Sequence, residues 1–556
     1  MSLPLHNTAL RMATKRVSAV LPVLWVLLPC SVSAGVILDN DDTLLRWNNV
    51  IGYETAFRVE GRNSALLGDI NADDADRNFT PGIISNRFDL RSELDYSRAG
   101  FGFDVSAAAW YDFVYHRKNH NDSPASFNPT SVPHNEFPRG VRALQGAYAE
   151  LDNAFLFGGA DIAGLPASFR IGRYTLLWGE SLFFPENGIA GGQAPVDENR
   201  VIGRPGSYAR DVYMPVTQAS GSIQLPSGFS LEAYYQFEWR RTRVPGAGSY
   251  LSTADYLDTG GERYLLPNGQ YLLRTPDHRP PDSGQFGAAL RWTNGELDFG
   301  VYALRFNSRD PEVYFRPGTV TALNAIYSQQ GYANPGGAYF RSSADIIDAS
   351  VLDYARGMAG TYHLVFPQGI DVYGASASLA FGNSNIAAEI SGRTNMPLSG
   401  APIIQLPDVN NEARYARGGT LNGQLSSTST FGRNALWDTA NLQFELAASG
   451  PVSHDAQMPA TPDAQVAFRA LFEPGYFEVL PNLNLTLNLG IGLALSGYSR
   501  PSEYGEKSAR DIELGATATY RVFWNASLVF SHFLGSPYQQ PLADRDFITF
   551  RIQRSL

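Results

Sequence analysis

The sequence predicts an all-β protein: a transmembrane antiparallel β-barrel of about 16–18 strands, with long extracellular loops and one loop that folds inward. Three observations predict this fold. Apolar and polar residues alternate over long stretches, these stretches are longer than the strands of soluble proteins, and the connections between them are alternately short and long.

The alternation is clearest in two stretches. From Phe101 to Tyr115, and again from Leu483 to Leu495, every odd-numbered residue is apolar or aromatic. Such a period places one face of a strand in an apolar medium and the other in a polar one. A soluble β-sandwich also alternates, but its strands average about 5 or 6 residues. A tilted strand needs about 9–11 residues to cross a bilayer, so strand length favours the barrel.

The connections support the same fold. Short turns are predicted at 97–100, 226–228, 294–295, 382–385, 481–482 and 522–523. Long polar segments are predicted at 62–85, 117–142, 180–216, 242–283, 308–356, 395–433 and 498–509. Short turns on one rim and long loops on the other are typical of outer-membrane barrels. The strand count depends on residues 357–382, where Pro367 and Gly369 either bend one strand or separate two.

Composition excludes several classes of protein. The chain has 556 residues, of which 44% are hydrophobic and 17% charged, and its net charge is −11. It is too apolar for a disordered protein, and the negative charge argues against nucleic acid as a partner. The single cysteine, Cys30, excludes a disulfide scaffold.

The N-terminus predicts export. Residues 11–16 carry three basic side chains, 17–28 form a short apolar run, and 32–34 form a small-residue cleavage site. These features are typical of a signal peptide. We therefore expect residues 1–34 to be a signal peptide and 35–556 to be the barrel, in the cell outer membrane. A lipoprotein role for Cys30 is the alternative, although Pro29 replaces the small residue expected before such a cysteine.

Short motifs along the chain carry a resemblance to a known family. In order they are Ala109–Asp112, Arg170–Arg173 with Trp178–Ser181, Pro195–Asp197, Arg204–Gly206, Ala233–Trp239, Gly284–Gly287, Gly300–Tyr302 with Ser308–Arg309, Asn395–Pro397 and Asp544–Phe547. Together they resemble the outer-membrane domain-of-unknown-function 1302 family of Gram-negative bacteria. The resemblance implies a large barrel, and family members are often associated with degradation or export systems for steroids and other hydrophobic compounds.

The sequence departs from that family in three places. The loop after Trp239 lacks a cysteine pair that many relatives carry, and the chain between Asn434 and Phe468 is shorter than the family pattern. The last residue is Leu556, where such barrels usually end in phenylalanine.

The long segment after the fifth strand is the strongest candidate for a functional site. It mixes apolar residues, glycines and paired charges, unlike a plainly hydrophilic surface loop. We expect it to fold inward and constrict the lumen, and the alternative is an ordered external loop. The candidate residues in and before this segment are Arg173, Trp178, Glu180, Asp197, Arg200 and Arg204.

Ladders of polar and charged side chains on the alternating faces form a second candidate. A charged lumen can set the selectivity of a pore. The favoured alternative is structural, because lumen charges can pair to hold the wall and arginine suits such pairing. The ladder residues are Arg87, Asp89, Arg91 and Glu93 on one strand, and Glu232, Gln236, Glu238 and Arg240 at another.

An enzyme is not expected. The eight histidines are scattered, and the chain contains no Gly-x-Ser-x-Gly elbow, HExxH motif or phosphate-binding loop. Ser531 and His532 are adjacent, so on a strand they point to opposite faces. We therefore expect no catalytic residue, no metal and no cofactor.

The function predicted from the sequence is an outer-membrane channel or transporter for small hydrophobic or amphipathic molecules, with the inward loop as a gate. Two alternatives remain: a non-conducting structural or assembly protein of the outer membrane, and a surface binding module. The expected partners are outer-membrane lipid, the barrel assembly machinery, a small-molecule substrate, and periplasmic or inner-membrane transport proteins.

Overall fold

The structure of the protein is a computed structural model. The residues that it describes are 35–40, 42–203, 212–257, 259–267, 269–318, 322, 325, 357–398, 403–404, 417–454, 464–497 and 507–556. The predicted signal peptide, residues 1–34, lies outside this set.

Most of the described strands belong to one antiparallel sheet of 19 strands. Strands are numbered along the whole chain, and the numbers absent from this sheet belong to a second one. In chain order, the strands of the large sheet are β1 (Gly35–Asn40), β2 (Thr43–Arg58), β3 (Gly82–Arg98), β4 (Phe101–Asp112), β5 (Ala147–Ile162), β6 (Leu165–Tyr174), β7 (Val216–Gln224), β8 (Phe229–Gln236), β11 (Gln285–Thr293), β12 (Leu297–Phe306), β15 (Ile370–Phe381), β16 (Ser384–Pro397), β18 (Arg417–Phe431), β19 (Thr439–His454), β20 (Gln465–Leu480), β21 (Leu483–Ser496), β22 (Arg510–Tyr520), β23 (Trp524–Leu534) and β24 (Phe547–Ser555).

The sheet closes on itself as a ring of 18 strands, because β1 pairs only with the first part of β2. Val50 of β2 is opposite Ser555 of β24, and Arg58 is opposite Phe547. The short strand β1 lies on the earlier part of the same edge of β2, with Asn40 opposite Thr43. β1 and β24 therefore occupy successive sections of one strand edge, and β24 makes the closure.

The two rims of the barrel differ as predicted. One rim has tight turns such as Asn294–Gly295, where the Asn294 Oδ1 accepts the backbone N–H of Leu297 at 2.8 Å and Gly295 adopts φ +94°. The other rim carries the long connections. Since short turns face the periplasm in outer-membrane barrels, the long connections are extracellular.

The outer surface of the wall is apolar. Large hydrophobic side chains are exposed on alternate residues of nearly every strand in the ring, and their neighbours on the same strand face inward. The outward set includes Phe88, Leu90, Leu156, Phe169, Ile171, Leu231, Phe286, Phe299, Val301, Tyr373, Ile386, Ile390, Leu421, Leu425, Leu446, Leu489, Leu514, Leu528 and Phe550. A closed sheet satisfies its backbone groups internally, so this belt can face lipid. The protein is a transmembrane barrel of the outer membrane.

The predicted strand number is confirmed, but two segments differ from the prediction. The sequence predicts a loop over 395–433, whereas the structure has the 15-residue strand β18 there. Its inward positions are Gly, Thr, Asn, Gln and Ser, and the large apolar residues of its outward face are Leu421, Leu425 and the terminal Phe431, so it has fewer apolar residues than the other strands. Residues 357–382 divide at Pro367 into two strands, and only the second, β15, lies in the ring.

The short segment between Asn434 and Phe468 does not reduce the number of strands. β19 and β20 each have 16 residues and pair continuously from Thr439 opposite Gly475 to Ser449 opposite Gln465.

A second sheet of five strands lies among the extracellular connections. Its strands are β9 (Arg263–Leu265), β10 (Tyr271–Arg274), β13 (Glu312–Pro317), β14 (Met358–Val365) and β17 (Ile403–Ile404). Their order in the sheet is β17-β13-β14-β10-β9. Its core includes the buried side chains of Tyr264, Leu272, Phe315 and Tyr362. Connections from three parts of the chain are thus joined into one folded unit on the extracellular side.

Helices are short in the described residues. The α-helices are α1 (Asp74–Asn78), α2 (Arg139–Val141) and α3 (Glu198–Gly203), and residues 142–146 form one π turn. Four 3₁₀ turns cover 66–68, 114–116, 189–192 and 226–228. None of the helices in this part of the chain is long and apolar enough to span a membrane.

Candidate functional site

The connection between β6 and β7, residues 175–215, crosses the inside of the barrel and is called the crossing loop here; its residues 204–211 lie outside the described set. It contacts inward-facing side chains of β16 and β19. β19 is eight strands round the ring from β6, and a full half-turn of this ring is nine strands. The loop therefore reaches the opposite wall, which is the inward fold expected from the sequence.

Two buried glutamates of the opposite wall hold backbone N–H groups of the crossing loop. Glu389 of β16 accepts the N–H of Glu180 at 2.7 Å and that of Ile189 at 2.5 Å. Glu445 of β19 accepts the N–H groups of three consecutive residues, 182–184. Hydrogen bonds to a carboxylate are stronger than neutral ones. The glutamates thus compensate backbone donors that would otherwise be buried without partners.

Two buried arginines hold the carbonyl groups of the same loop. The Arg393 Nη2 donates to the carbonyl oxygens of residues 186, 187 and 188 at 2.8, 2.8 and 2.9 Å. Arg309, just after β12, donates to the carbonyls of Gly191 at 3.2 Å and Gln193 at 3.1 Å. Burial lowers the pKa of Arg309 to about 10. The wall therefore offers acceptors where the loop has donors, and donors where it has acceptors.

Gly179 is required where the loop meets Glu389. Its φ is +87°, and a Cβ atom there would lie 2.1 Å from the Glu389 Oε2. Both the left-handed backbone and the missing side chain are conditions that glycine meets without strain.

Apolar packing fixes the loop further. Phe183 and Phe184 pack with Ala447 of β19 and with Ala467 and Leu471 of β20. On the other side, Trp178 and Ile189 pack in a second cluster with inward-facing residues of β8, β12 and β15. Because it is held by both polar and apolar contacts, the loop forms a fixed part of the interior.

The ladder on β3 lies on the inward face. The Arg87 Nη2 is 2.5 Å from the Asp89 Oδ1, and the Arg87 guanidinium lies over the Trp110 ring. Arg91 and Glu93 are 3.9 Å apart, a looser pair. These ladder charges pair along the strand, which is what the structural interpretation of the ladder expects.

Two predicted residues of the crossing loop, Trp178 and Glu180, lie near Arg291 and Glu232 of the wall. The Trp178 Nε1 donates to Glu232 at 2.9 Å, and Arg291 of β11 is 4.0 Å from the other oxygen of Glu232. Burial raises the pKa of Glu180. Gln236 lies four residues after Glu232 on β8. Its side-chain amide donates to the Gln193 carbonyl at 2.5 Å and accepts a hydrogen bond from Arg309 at 3.2 Å.

The remaining predicted residues lie in a separate group near the extracellular rim. Arg173 contacts Glu238 at 2.9 Å, and Arg240 contacts Glu150 of β5 at 3.0 Å. Asp197 is buried and contacts Arg243 at 2.9 Å and Arg200 at 3.5 Å. Arg204 lies outside the described residues. The predicted set is thus divided between the β3 wall, the surroundings of Trp178 and this rim group.

Sequence reasoning missed the residues that anchor the crossing loop. Glu389, Arg393 and Glu445 are isolated charges at inward positions of strands whose outward positions are apolar, and Arg309 follows a strand end. A charge alone on an inward face is the one signal that marks them in the sequence. The ladders are the more conspicuous pattern because they repeat.

Three groups of carboxylates in the described residues have ligand-type oxygens within 4.8 Å of one another: Asp73, Asp74 and Asp255; Glu93, Asp95 and Asp104; and Glu186, Glu198 and Asp310. The first group is buried among the extracellular loops. Burial raises the pKa of Asp73 and Asp74, and raises that of Asp255 to about 8.

Comparison with known proteins defines the family. The model of a family described as "Protein of unknown function (DUF1302)" matches residues 15–556. The chain belongs to the DUF1302 family. The resemblance seen in the ordered motifs is therefore confirmed. Among curated proteins, none matches the chain.

Several solved structures are similar to this DUF1302 barrel at low identity. OccAB4 of Acinetobacter baumannii is 9% identical, with 93% of this chain and 98% of that chain covered and a TM-score of 0.41. OccK2 of Pseudomonas aeruginosa, solved in complex with glucuronate, is 8% identical, with 92% and 98% covered and a TM-score of 0.39. A BenF-like porin from Pseudomonas fluorescens is 6% identical, with 92% and 98% covered and a TM-score of 0.40.

Proposed function

We propose that this protein is an outer-membrane channel for small hydrophobic or amphipathic molecules. The observation that carries the proposal is that one sector of the inner wall remains exposed beside the crossing loop. The anchors of that loop lie on β8 to β20, and the inward face of β2, β3 and β24 carries accessible charged side chains.

The exposure of these charges supports an aqueous path. The Arg91 side chain is 56% exposed and that of Glu93 32%, although both point away from the lipid-facing residue Leu90. Glu54 and Arg551, which are 3.7 Å apart across the β2–β24 seam, are 21% and 24% exposed. Exposed charges on the inside of a closed wall require water there.

The contacts of the crossing loop support a fixed constriction in place of the gate expected from the sequence. Glu389, Glu445, Arg393 and Arg309 engage ten of its backbone groups. Moving the loop would break these bonds together with the packing of Phe183 and Phe184. We therefore assign selectivity to the space between the loop and the β2–β3–β24 sector.

The preference for apolar or amphipathic substrates rests on the association of the family with hydrophobic compounds. The aromatic residues of the extracellular loops do not add to it. Tyr250, Tyr264 and Phe315 are buried in clusters of the extracellular loops, and Tyr314 is buried beside His363, so these residues order the loops.

Other parts of the proposal concern chemistry and partners. We propose no enzymatic activity: Ser531 is buried, and the neighbouring His532 contacts Asp546. The belt would contact outer-membrane lipid, and β24 would be recognised by the barrel assembly machinery. Periplasmic or inner-membrane transport proteins would accept or supply the substrate.

Planar-bilayer conductance of the purified protein and substrate uptake in a deletion strain test the proposal. We expect discrete conductance steps, and slower uptake or growth of the deletion strain on hydrophobic carbon sources. Silent bilayers together with unchanged growth would defeat the channel and favour a structural protein. Silent bilayers with a loss of surface binding in the deletion strain would favour a binding module.

A further inference from the structure

A cavity of about 580 Å³ lies on the extracellular side of the crossing loop and is called the vestibule cavity. Its wall includes Tyr148 from the inward face of β5, Met214 from the returning end of the crossing loop, and Phe366 just before β15. Pockets that hold small ligands commonly measure about 300–1,000 Å³.

Two arginines in the wall of the vestibule cavity lie over aromatic rings. The Arg279 guanidinium is 5.2 Å from the centre of the Trp239 ring, and that of Arg243 is 5.3 Å from the centre of the Tyr148 ring. Trp239 is itself fixed, because its Nε1 donates to the Ser308 carbonyl at 3.1 Å and its ring packs on Phe366. A guanidinium that lies over a ring can still offer N–H groups to a planar acceptor.

Most of the charges in this wall are already paired. Arg240 and Arg243 share Glu150, and Arg243 also contacts Asp197. Asp277 contacts Arg274 at 2.8 Å and Arg241 at 3.6 Å, and Glu238 contacts Arg173. Burial, together with the neighbouring guanidinium groups of Arg243 and Arg173, lowers the pKa of Arg240. The wall nevertheless carries four arginines, Arg240, Arg241, Arg243 and Arg279, against two carboxylates, Glu238 and Asp277.

Arg279 differs from the other arginines of the wall. Within the described part of the chain it contacts no carboxylate and makes no hydrogen bond, and its guanidinium lies over the Trp239 ring. This exposed guanidinium in the wall of the vestibule cavity thus has no counter-charge among the described residues.

We propose that the vestibule cavity binds amphipathic monocarboxylates, with the carboxylate on Arg279 and the apolar body against the aromatic wall. This proposal rests on the proposed channel function and names the class of its substrates. A bidentate pair between guanidinium and carboxylate gives both attraction and orientation. One uncompensated positive charge matches one negative charge, which distinguishes a monocarboxylate from a phosphate dianion.

Equilibrium binding to the purified, folded protein in detergent tests the site without any need for conduction. The probe is 2-naphthoate, titrated by calorimetry, and the neutral isostere is 2-naphthamide. We expect naphthoate to bind at least about tenfold more tightly than the amide, because a hydrogen bond to a charged group is lost in the amide. Equal affinity for the two compounds would overturn the proposal.

Variants locate the site. Arg279→Gln should weaken naphthoate binding about tenfold or more and leave naphthamide binding unchanged. Arg279→Lys keeps the charge without the planar fork, and it should recover part of the affinity. The matched control is Arg433→Gln, in a periplasmic turn where the Arg433 side chain is 83% exposed. Each variant must first show the folded band on an unboiled gel.

Two more outcomes bear on the assignment. Ala143→Phe fills the cavity and should weaken the binding of both compounds, and unchanged binding would place the ligand elsewhere. Inorganic phosphate that displaces naphthoate at equal concentration would overturn the choice of a carboxylate. Naphthoate binding without bilayer conductance would overturn the proposed channel function and support the cavity assignment. Naphthoate conduction without Arg279-dependent binding would support the channel function and overturn the cavity assignment.

Discussion

At the scale of single residues, a network of buried charges lies between extracellular loops. Arg58 and Arg545 both contact Asp76, at 3.2 and 3.1 Å, and Arg58 contacts Asp544 at 3.0 Å. Their side chains are at most 2% exposed. Arg545 also donates to the carbonyl oxygens of Tyr250 and Ser252. Three loops that follow β2, precede β24 and follow β8 are joined by this network.

Removing one partner of the network should be costly. Arg545→Ala leaves the buried Asp76 without its bidentate donor, and loss of one partner of a buried pair typically costs about 3–5 kcal/mol. We expect a clear fall in the temperature at which the folded band disappears on heated gels. Arg433→Ala, which removes an exposed pair with Asp438, should change that temperature little. Equal effects of the two substitutions would contradict the prediction.

The buried carboxylates Asp73, Asp74 and Asp255 predict a pH dependence. Burial raises the pKa of Asp255 to about 8 from an ordinary value of 3.8. The folded protein therefore keeps a proton that the unfolded chain releases, and this contribution to stability is lost as pH rises from about 4 towards about 8. The thermal stability of the loops should thus fall between about pH 5 and pH 8, measured with a chelator present throughout.

Asp255→Asn isolates the effect of this group. An uncharged amide keeps an oxygen for the N–H of Asp74, which now donates to the Asp255 carboxylate at 2.9 Å. We expect the variant to lose part of the decline at high pH, whereas Asp39→Asn in the exposed strand β1 should keep the full decline. A parent protein whose stability rises over the same range would refute the assignment.

At the scale of elements, the crossing loop shows what a sequence can and cannot predict. Its mixture of apolar residues, glycines and charges predicts an inward fold, because a solvent-exposed loop would leave the apolar side chains of Phe183 and Phe184 in water. Its anchors could not be predicted, since Glu389 and Glu445 lie 200 or more residues away in sequence from the N–H groups that they accept. Only the closed ring brings them opposite the loop.

The strand β18 is an element that the sequence does not reveal. Its inward side chains are small and polar and touch the crossing loop: Asn187 donates to the Gly423 carbonyl and to Gln424. Since the outward face offers only two leucines between residues 417 and 429, the periodic signal is too weak to separate a strand from a loop. The alternation of apolar and polar residues that reveals a strand is therefore weak where the strand supplies polar contacts to the crossing loop.

Gly179→Ala should release one anchor of the crossing loop. The added Cβ would meet the Glu389 Oε2 at 2.1 Å, and the φ of +87° is unfavourable for alanine. The reporter is Ile189→Cys, at a fully buried position within the loop, whose backbone N–H is held by Glu389. Its thiol should be protected from a membrane-impermeant maleimide when Gly179 is present and labelled when Gly179→Ala is added.

The matched control for this change is Gly269→Ala. Gly269 also has a positive φ, of +78°, but no atom of the described residues lies within 4 Å of the position that a Cβ atom would take there. It carries the same backbone penalty without the contact. Labelling of Ile189→Cys that rises equally with both substitutions would show that Glu389 does not anchor the loop.

At the scale of the whole molecule, the alternation of apolar and polar residues predicts the architecture. The alternation arises because one face of the wall contacts lipid and the other contacts the lumen. Lipid and lumen impose the same period on every strand, so the pattern from Phe101 to Tyr115 recurs from Leu483 to Leu495. β14 is ambiguous in the sequence for a related reason: it belongs to the extracellular sheet, and its position relative to the membrane is not encoded in its own residues.

Closure of the ring predicts a difference between the two ends of the chain. Deleting residues 547–556 removes β24 and leaves two open strand edges, so we expect no folded band on unboiled gels. Deleting residues 35–40 removes β1, which pairs beside the ring, and the heat-modifiable band should remain. A folded band for both deletions, or for neither, would contradict the closure between β2 and β24.

The anchoring of the crossing loop also constrains the order of assembly. Residues 180–184 emerge during synthesis more than 200 residues before the glutamates that bind them. Once β24 has joined β2, the loop could enter only through the extracellular mouth, past the folded connections there. We therefore expect the segment to lie inside the nascent wall while the later strands are added around it, so that membrane insertion and lumen formation are coupled.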